Sequence, residues 1–265
     1  MAQSFRSPGK IARRLKLLPS AAAKITNWPS FMSNYALGLS PDRPYSFRNG
    51  ARLKIDRAVD HVPIIEIFLN EEYGEIPDNS VVLDLGANVG TFSIYASATA
   101  KNVRVYAYEP LPAFFEALRQ NVQMNDREND IQCFNLAVAG EAATARLLLV
   151  GGEKVFFPTL VDAENGVGAN QVSVACTTLS EIIETNQLAH VDLLKMDCEG
   201  AEYEILPGTP PSCLEKIHEI RMEYHDLDSQ SRNVSSLKQF LMKSGYRITH
   251  FQATTEKNGV LWAAR

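Results

Sequence analysis

Two short stretches of this 265-residue chain place acids and an imidazole at the ends of apolar runs. The residues are Lys195, Asp197, Glu199 and Glu202 in LLKMDCEGAE, and Glu223 and His225 in IRMEYH. Because the side-chain period of a strand is two, Lys195 shares a strand face with Asp197, and Glu223 shares one with His225. If the two strands are neighbours in a sheet, Asp197, Glu223 and His225 meet at one cleft.

Acids beside an imidazole can take a proton from a hydroxyl group. A hydroxyl pKa lies near that of water, roughly 15.7, so a general base, typically worth about 10²- to 10⁴-fold, or a metal ion is useful. His225 is best suited to accept that proton at neutral pH, with Asp197 orienting the ring. Mg²⁺ held by Asp197, Glu223 and His225 is the less favoured alternative. A structural ion pair remains open for Lys195, and helix capping for Glu199.

The stretch VVLDLGANVG ends an apolar strand in a loop with two glycines. In a parallel sheet, ligands bind beyond the carboxyl ends of the strands, so Gly86 and Gly90 would let the backbone approach a ligand. Asp84 could orient that loop or accept the protons of an ammonium group. Asn88 replaces the second glycine of the dinucleotide fingerprint, which disfavours a pyrophosphate and an NAD-dependent oxidoreductase.

Glu109 ends the next apolar strand, nineteen residues beyond Gly90. An acid at this place can accept hydrogen bonds from both ribose hydroxyls of a nucleoside. Together with the loop, it indicates a nucleoside that has an amino-acid tail and no phosphate. The sequence therefore predicts S-adenosyl-L-methionine as the cofactor.

Apolar strands alternate with helical stretches from residue 81 onward, which predicts right-handed βαβ crossovers and a mostly parallel sheet. The rhythm is interrupted after Gly140, where TARLLLV and QVSVACTTL predict an antiparallel pair joined by the loop DAENGVGANQ. The last strands, YRITHFQ and GVLWAAR, predict a closing antiparallel hairpin. The sequence thus predicts an α/β fold with residues 81–265 as the main domain.

The first 80 residues divide into a basic tail, 1–44, and a lead-in, 45–80, with two short strands around Asn49-Gly50 and an amphipathic helix from Ile64. In the tail, six basic residues precede the first acid, Asp42. We expect a solvated, partly disordered or helical tail whose helix ends at Pro19. Peripheral contact with a membrane surface and an organellar transit peptide are the alternatives.

Composition narrows the function classes. The net charge of -5 argues against a nucleic-acid-binding protein, which would need a basic surface. The four cysteines are widely spaced with no zinc-ligand pattern, which favours reduced thiols in the cytoplasm. No apolar run reaches the roughly 18 residues of a membrane span.

Several of these motifs together resemble the FkbM-type family of S-adenosylmethionine-dependent methyltransferases. They are VVLDLGANVGTFSIYAS, VYAYEP, NLAV, VDLLKMDCEGAEYEIL and MEYH, and the resemblance covers about residues 45–265. It implies a seven-stranded, Rossmann-like class I methyltransferase sheet. It also implies that the methionine end of the cofactor lies at Asp84, Gly86, Asn88 and Gly90, the ribose at Glu109, and the adenine near Ala137 and Val138.

The resemblance implies an O-methyltransferase that acts on a hydroxyl of a sugar, glycolipid precursor or secondary metabolite. The expected catalytic residues are His225, Asp197 and Glu223, and the expected partner is a small-molecule or glycan acceptor. An NAD-dependent oxidoreductase and a non-catalytic S-adenosylmethionine-binding module remain the alternatives. The sequence does not specify the acceptor, a metal ligand set or the oligomeric state.

Overall fold

A computed structural model of the chain describes residues 8–141, 144–150, 157–161 and 171–265. The helices are α1 (Pro8–Lys24), α2 (Trp28–Leu37), α3 (His61–Pro63), α4 (Thr91–Thr99), α5 (Pro112–Met124), α6 (Leu179–Thr185), α7 (Glu202–Gly208), α8 (Pro211–Leu214) and α9 (Val234–Lys243). The strands are β1 (Tyr45–Ser46), β2 (Arg52–Leu53), β3 (Val81–Leu85), β4 (Arg104–Tyr108), β5 (Ile131–Phe134), β6 (Ala137–Ala139), β7 (Thr144–Val150), β8 (Phe157–Val161), β9 (Gln171–Thr178), β10 (Val191–Met196), β11 (Ile217–His225), β12 (Arg247–Ala253) and β13 (Asn258–Ala264).

The central layer is a seven-stranded sheet in the order β12-β13-β11-β10-β3-β4-β5. The pairs from β11 through β10, β3 and β4 to β5 are parallel, whereas β13 runs antiparallel to both β11 and β12. The predicted Rossmann-like sheet with its antiparallel C-terminal hairpin is thus confirmed. Its strand order reverses between β3 and β10, and this switch point is where such sheets bind ligands.

Each face of the sheet has its own apolar core, because the central strands are apolar on both sides. All five residues of β3 are buried. One core packs α4 and α5 against the sheet together with the N-terminal segments, and the other packs helices α6 to α9. Side chains cap the N-termini of α6 and α9. Thr178 accepts a hydrogen bond from the Glu181 amide, and Asn233 accepts one from the Ser236 amide.

A smaller four-stranded sheet has the order β6-β9-β7-β8. Its β7 and β9 pair antiparallel, as the sequence predicts, but the intervening strand β8 was not predicted. The apolar run IQCFNLAV divides into β5 in the main sheet and β6 in the smaller one. Residues 162–170 of the predicted loop lie outside the described residues.

The lead-in contains the predicted strand pair, β1 and β2, with Gly50 in a left-handed conformation between them. The predicted amphipathic helix takes a less regular form: a 3₁₀ turn at Ala58–Asp60, then α3, then a π-helical segment at Ile64–Leu69. All but one of the residues of that last segment are buried. This π-helical segment is therefore surrounded by protein on nearly all sides.

The predictions for the basic tail were wrong in two respects. Helix α1 continues through Pro19 to Lys24, and the segment after residue 16 is not a solvated tail. Leu17 and Ala21 are buried in the same core as the lead-in and α4, and Lys24 forms a 2.6 Å ion pair with Glu71. Apolar contacts on both sides of the proline offset its missing hydrogen bond. The domain boundaries after residues 44 and 80 remain predictions.

Within the part of the chain that the structure describes, no helix combines the length and the apolar character that spanning a bilayer requires.

Candidate active site

An open cleft of about 730 Å³, including the solvent at its mouth, lies at the carboxyl ends of β3, β4 and β10. Its walls contain predicted cofactor and catalytic residues as well as others that the sequence did not indicate. The lining residues are Gly86, Asn88, Tyr108, Glu109, Pro110, Phe114, Leu136, Ala137, Val138, Asp197, Cys198, Glu199 and Ala201.

Glu109 connects the end of β4 to the loop after β3. Its carboxylate accepts hydrogen bonds from the Asn88 amide at 2.8 Å and from the Leu111 amide at 2.9 Å. Burial raises the pKa of Glu109 to about 7, although the two amide bonds act to lower it. Each carboxylate oxygen keeps lone-pair capacity for a further donor, which suits it to two vicinal hydroxyls.

Asn88 projects from the loop on the same side of the cleft. Its backbone is left-handed, with φ of 50°, a conformation that asparagine tolerates better than most residues. Its side-chain Oδ1 is buried and has no hydrogen-bond partner among the described residues. An orphaned acceptor on the wall of a cleft is a ready site for a ligand donor.

Asp84 is fully buried and is not part of the cleft wall. Its carboxylate accepts a 2.7 Å bond from the Ser93 hydroxyl and lies 3.1 Å from the Lys195 ammonium, which faces it across paired strands. Lys195 also donates to the Gly86 carbonyl at 2.9 Å. Burial acts to lower the pKa of Lys195, but the negative charges of Asp84 and Asp197 together outweigh it and the pKa is raised. The pair therefore anchors the loop from beneath, and the place of Asp84 at the cofactor remains a prediction.

The two glycines of the loop have different roles. A side chain at Gly86 would place its Cβ 2.0 Å from the Asp197 carbonyl oxygen, so glycine is needed where the loops after β3 and β10 meet. A Cβ at Gly90 would lie 2.6 Å from Leu118 of α5. Gly90 thus packs against a helix and is not among the residues that line the cleft, and its place beside the cofactor remains a prediction.

The second wall of the cleft carries the predicted acids. Because β10 and β11 are parallel neighbours, Asp197, Glu223 and His225 lie together, as the strand adjacency predicts. One potential ligand atom from each of the three lies within 4.8 Å of the others. The His225 Nε2 atom is 3.5 Å from Glu199 and 3.9 Å from Glu223.

The charges in this cluster perturb one another. Burial acts to lower the pKa of His225, but the close carboxylate of Glu202, with the charges of Asp197 and Glu199, raises it to about 9. Burial, followed by the charge of Asp197, raises the pKa of Glu199 to about 8 and that of Glu223 to about 7. At neutral pH the imidazole therefore carries a proton, and Glu223 is poised between its two forms.

Glu202, one of the acids named in the motif LLKMDCEGAE but given no role there, is also a member of this cluster. It is fully buried at the start of α7, accepts the Cys198 amide at 3.0 Å, and lies 3.7 Å from the His225 Nδ1 atom. It performs the amide-capping role considered for Glu199, whose own backbone is left-handed with φ of 52°. Its position as the last acid of DCEGAE, where a helix was expected to start, could have indicated this capping role.

The apolar walls were also missed. Tyr108, Phe114 and Leu136 border the cleft beside the predicted Ala137 and Val138. These side chains lie at or near strand ends and in the first turn of α5. The sequence motifs do not indicate that they face a cleft. Their surfaces suit a flat, uncharged ring.

The FkbM methyltransferase domain matches residues 84–248 of the chain. Methyltransferase sdnD of Sordaria araneosa is 26% identical over 223 residues, which cover 71% of this chain and 82% of that protein. The 31-O-demethyl-FK506 methyltransferase FkbM of Streptomyces tacrolimicus is 27% identical over 190 residues, 62% of this chain and 72% of that protein. Hexuronic acid methyltransferase AglP of Haloferax volcanii is 28% identical over 157 residues, 57% of this chain and 58% of that protein.

Solved structures with a similar fold include TrmK of M. capricolum in complex with S-adenosyl-homocysteine. The TM-score is 0.47 at 12% identity, over 74% of this chain and 66% of that one. Precorrin-6y C5,15-methyltransferase of Geobacter metallireducens has a TM-score of 0.43 at 16% identity, over 86% of this chain and 96% of that one.

The fold and the family match define a methyltransferase. The chain belongs to the FkbM methyltransferase family.

Proposed function

We propose that this protein transfers a methyl group from S-adenosyl-L-methionine to a hydroxyl of a sugar, glycolipid precursor or secondary metabolite. The observation that carries the proposal is one cleft whose two walls differ in chemistry. One wall presents Asn88 and Glu109 beside apolar side chains, and the other presents Asp197 with His225 and Glu223 next to it. The first wall suits a nucleoside, and the second suits a hydroxyl that must lose a proton.

The cofactor wall fits S-adenosylmethionine by the chemistry of its groups. We propose that Glu109 accepts the ribose hydroxyls, and that the unpartnered Oδ1 of Asn88 accepts a donor from the methionine end. Ala137 and Val138 flank the space proposed for the adenine. When bound, the cofactor supplies a methyl group on a sulfonium, an electrophile that requires an acceptor held in line.

The acidic wall is proposed to receive the acceptor's proton. His225 has a pKa of about 9, so at pH 7 only about one molecule in a hundred holds it neutral and ready to act as a base. Glu223, with a pKa of about 7, is ionised in a large fraction of molecules and touches the same imidazole. Asp197 lies on the cleft wall next to both. We therefore propose Asp197, Glu223 and His225 as one proton-accepting unit.

The names of the relatives support the acceptor class. One similar protein is named as a methyltransferase of 31-O-demethyl-FK506 and another of a hexuronic acid. We propose by this similarity that the acceptor is a hydroxyl-bearing small molecule or glycan. We also propose action in the cytoplasm, in keeping with four free cysteines. Membrane contact through α1 remains a prediction.

A metal-assisted form of the same reaction is the second candidate, favoured by the grouping of Asp197, Glu223 and His225. Carboxylate oxygens are ligands that Mg²⁺ prefers, and an ion here would lower the pKa of a bound hydroxyl. Activity that EDTA abolishes and Mg²⁺ restores would support this form. Activity that EDTA leaves unchanged would support proton transfer by the side chains alone.

The experiment that tests the proposal measures cofactor binding first. Isothermal titration of the purified chain with S-adenosylhomocysteine should show binding, while NAD⁺ should neither bind nor shift the unfolding temperature. Labelled methyl transfer to a panel of sugars and hydroxylated metabolites then separates an enzyme from a binding module. Binding of NAD⁺ in place of S-adenosylhomocysteine would overturn the proposal.

A further inference from the structure

Asn121 in α5 and Asn125, directly after that helix, bind the lead-in through its backbone, and the Arg52 side chain adds a bond to the Met124 carbonyl. Asn121 accepts the Lys54 amide at 2.8 Å and donates to the Lys54 carbonyl at 3.0 Å. Asn125, at the end of the helix, accepts the Arg52 amide at 2.7 Å and donates to the Arg52 carbonyl at 2.7 Å. Each side-chain amide therefore pairs with both polar groups of one residue, as a neighbouring strand would.

This pairing is possible because the axial rise of a helix turn nearly equals that of two strand residues. Four residues of helix rise about 6 Å, and two residues of strand rise about 6.6 Å. Side chains at i and i+4 of α5 therefore meet residues i and i+2 of the lead-in. Because each amide must accept from an N–H and donate to a carbonyl, this pairing also fixes which way each amide points.

The two asparagines differ in one bond. The second N–H of Asn125 returns to its own helix, at the Asn121 carbonyl, 2.7 Å away. The second N–H of Asn121 reaches the Val89 carbonyl at 2.8 Å, inside the loop after β3. Asn121 is fully buried, so no water replaces that donor if it is removed. Asn125, directly after the same helix and half-buried, thus serves as the control for the loop bond.

The Val89 carbonyl belongs to the residue that follows left-handed Asn88. The amide of Asn88 is held by Glu109, and the next carbonyl is held by Asn121, so the strained residue is fixed on both sides. We propose that Asn121 is a positioning residue for the cofactor. It holds the loop so that Asn88 faces the cleft, and it couples that loop to the lead-in. This inference rests on the proposed function, because the ligand of the loop is S-adenosylmethionine.

The test compares Asn121→Ala with Asn125→Ala. Both variants lose one docking pair with the lead-in, so both should unfold at a lower temperature than the wild type. Only Asn121→Ala should lose affinity for S-adenosylhomocysteine, by roughly threefold to tenfold, the equivalent of one neutral hydrogen bond. With an identified acceptor, the loss should appear in the KM for S-adenosylmethionine and much less in kcat.

A second measurement uses the wild-type protein and does not depend on how well a variant folds. Amide exchange followed by NMR should show that S-adenosylhomocysteine slows exchange at Lys54, which Asn121 holds, more than at Arg52, which Asn125 holds. Equal protection at the two amides, or equal affinity in both variants, would overturn the positioning role while leaving the proposed function intact. A wild-type protein that binds no S-adenosylhomocysteine would overturn both.

Discussion

Replacing Glu109 by alanine is expected to weaken the binding of S-adenosylhomocysteine about tenfold to a hundredfold. The variant loses a charged acceptor for the ribose hydroxyls, and a hydrogen bond to a charged group is worth about 1.5–3 kcal/mol. The Asn88 amide also loses its acceptor, which loosens the loop that lines the cleft. Both effects act on the bound cofactor.

The fold itself should lose much less stability. Burial raises the pKa of Glu109 from 4.5 to about 7, so holding this carboxylate ionised costs about 3 kcal/mol above pH 7. Stability from this group falls as pH rises from 4.5 towards 7, because the folded state keeps a proton that the unfolded state has released. Alanine removes that cost, and the gain offsets the two amides that it leaves unpaired, at about 1–3 kcal/mol each.

Isothermal titration with S-adenosylhomocysteine at several pH values tests this prediction. The ionised carboxylate is the better acceptor, so wild-type affinity should strengthen as pH rises from 6 to 8, and the affinity of the variant should not. Glu116→Ala makes the same chemical change at an exposed position of α5 and should behave as the wild type. A folded Glu109→Ala protein with wild-type affinity at pH 8 would refute the ribose assignment.

Three further predictions concern the acidic cluster, the buried Lys195–Asp84 ion pair and the packing of α1 against the core. If neutral His225 is the base, wild-type methyl transfer should rise about tenfold per pH unit and level off near pH 9; levelling near pH 7 would assign the role to Glu223. Lys195→Met should lower the free energy of unfolding by about 3–5 kcal/mol in urea titration, because it leaves a buried carboxylate unpaired, and a loss below about 1 kcal/mol would contradict that. Leu17→Ala should cost about 2–5 kcal/mol in the same titration, whereas Leu15→Ala, at a side chain 59% exposed, should cost little; equal losses would contradict the packing of α1.

The sheet and the meeting of its strand ends could be predicted from the sequence. Alternation of apolar strands with helices predicts the parallel order, and adjacency of β10 and β11 then brings Asp197 near His225. These conclusions depend only on chain direction and on the two-residue period of a strand. Strand periodicity and chain direction are determined locally, so they can be inferred from a single sequence.

The contacts that the sequence did not predict depend on register and on packing between layers. Asp84 faces Lys195 only because of how β3 and β10 align, and no periodicity specifies that alignment. Gly90 meets Leu118 only because α5 crosses the loop. Pro19 stays within α1 because apolar contacts on either side of it favour a continuous helix, a tertiary effect that local propensity omits.

The asparagine pair on α5 also affects how the lead-in can vary. The bonds from Asn121 and Asn125 to residues 52 and 54 reach backbone atoms, so these four bonds do not depend on the side chains there. The Arg52 side chain adds one bond of its own, to the Met124 carbonyl. A lead-in from another protein could therefore be grafted at this seam if its backbone were extended there and not proline at the two donor positions. Chimeras joined near residue 57 would preserve the pairing, provided that they keep the side chains that the lead-in buries in the core, such as Leu53 and Ile55.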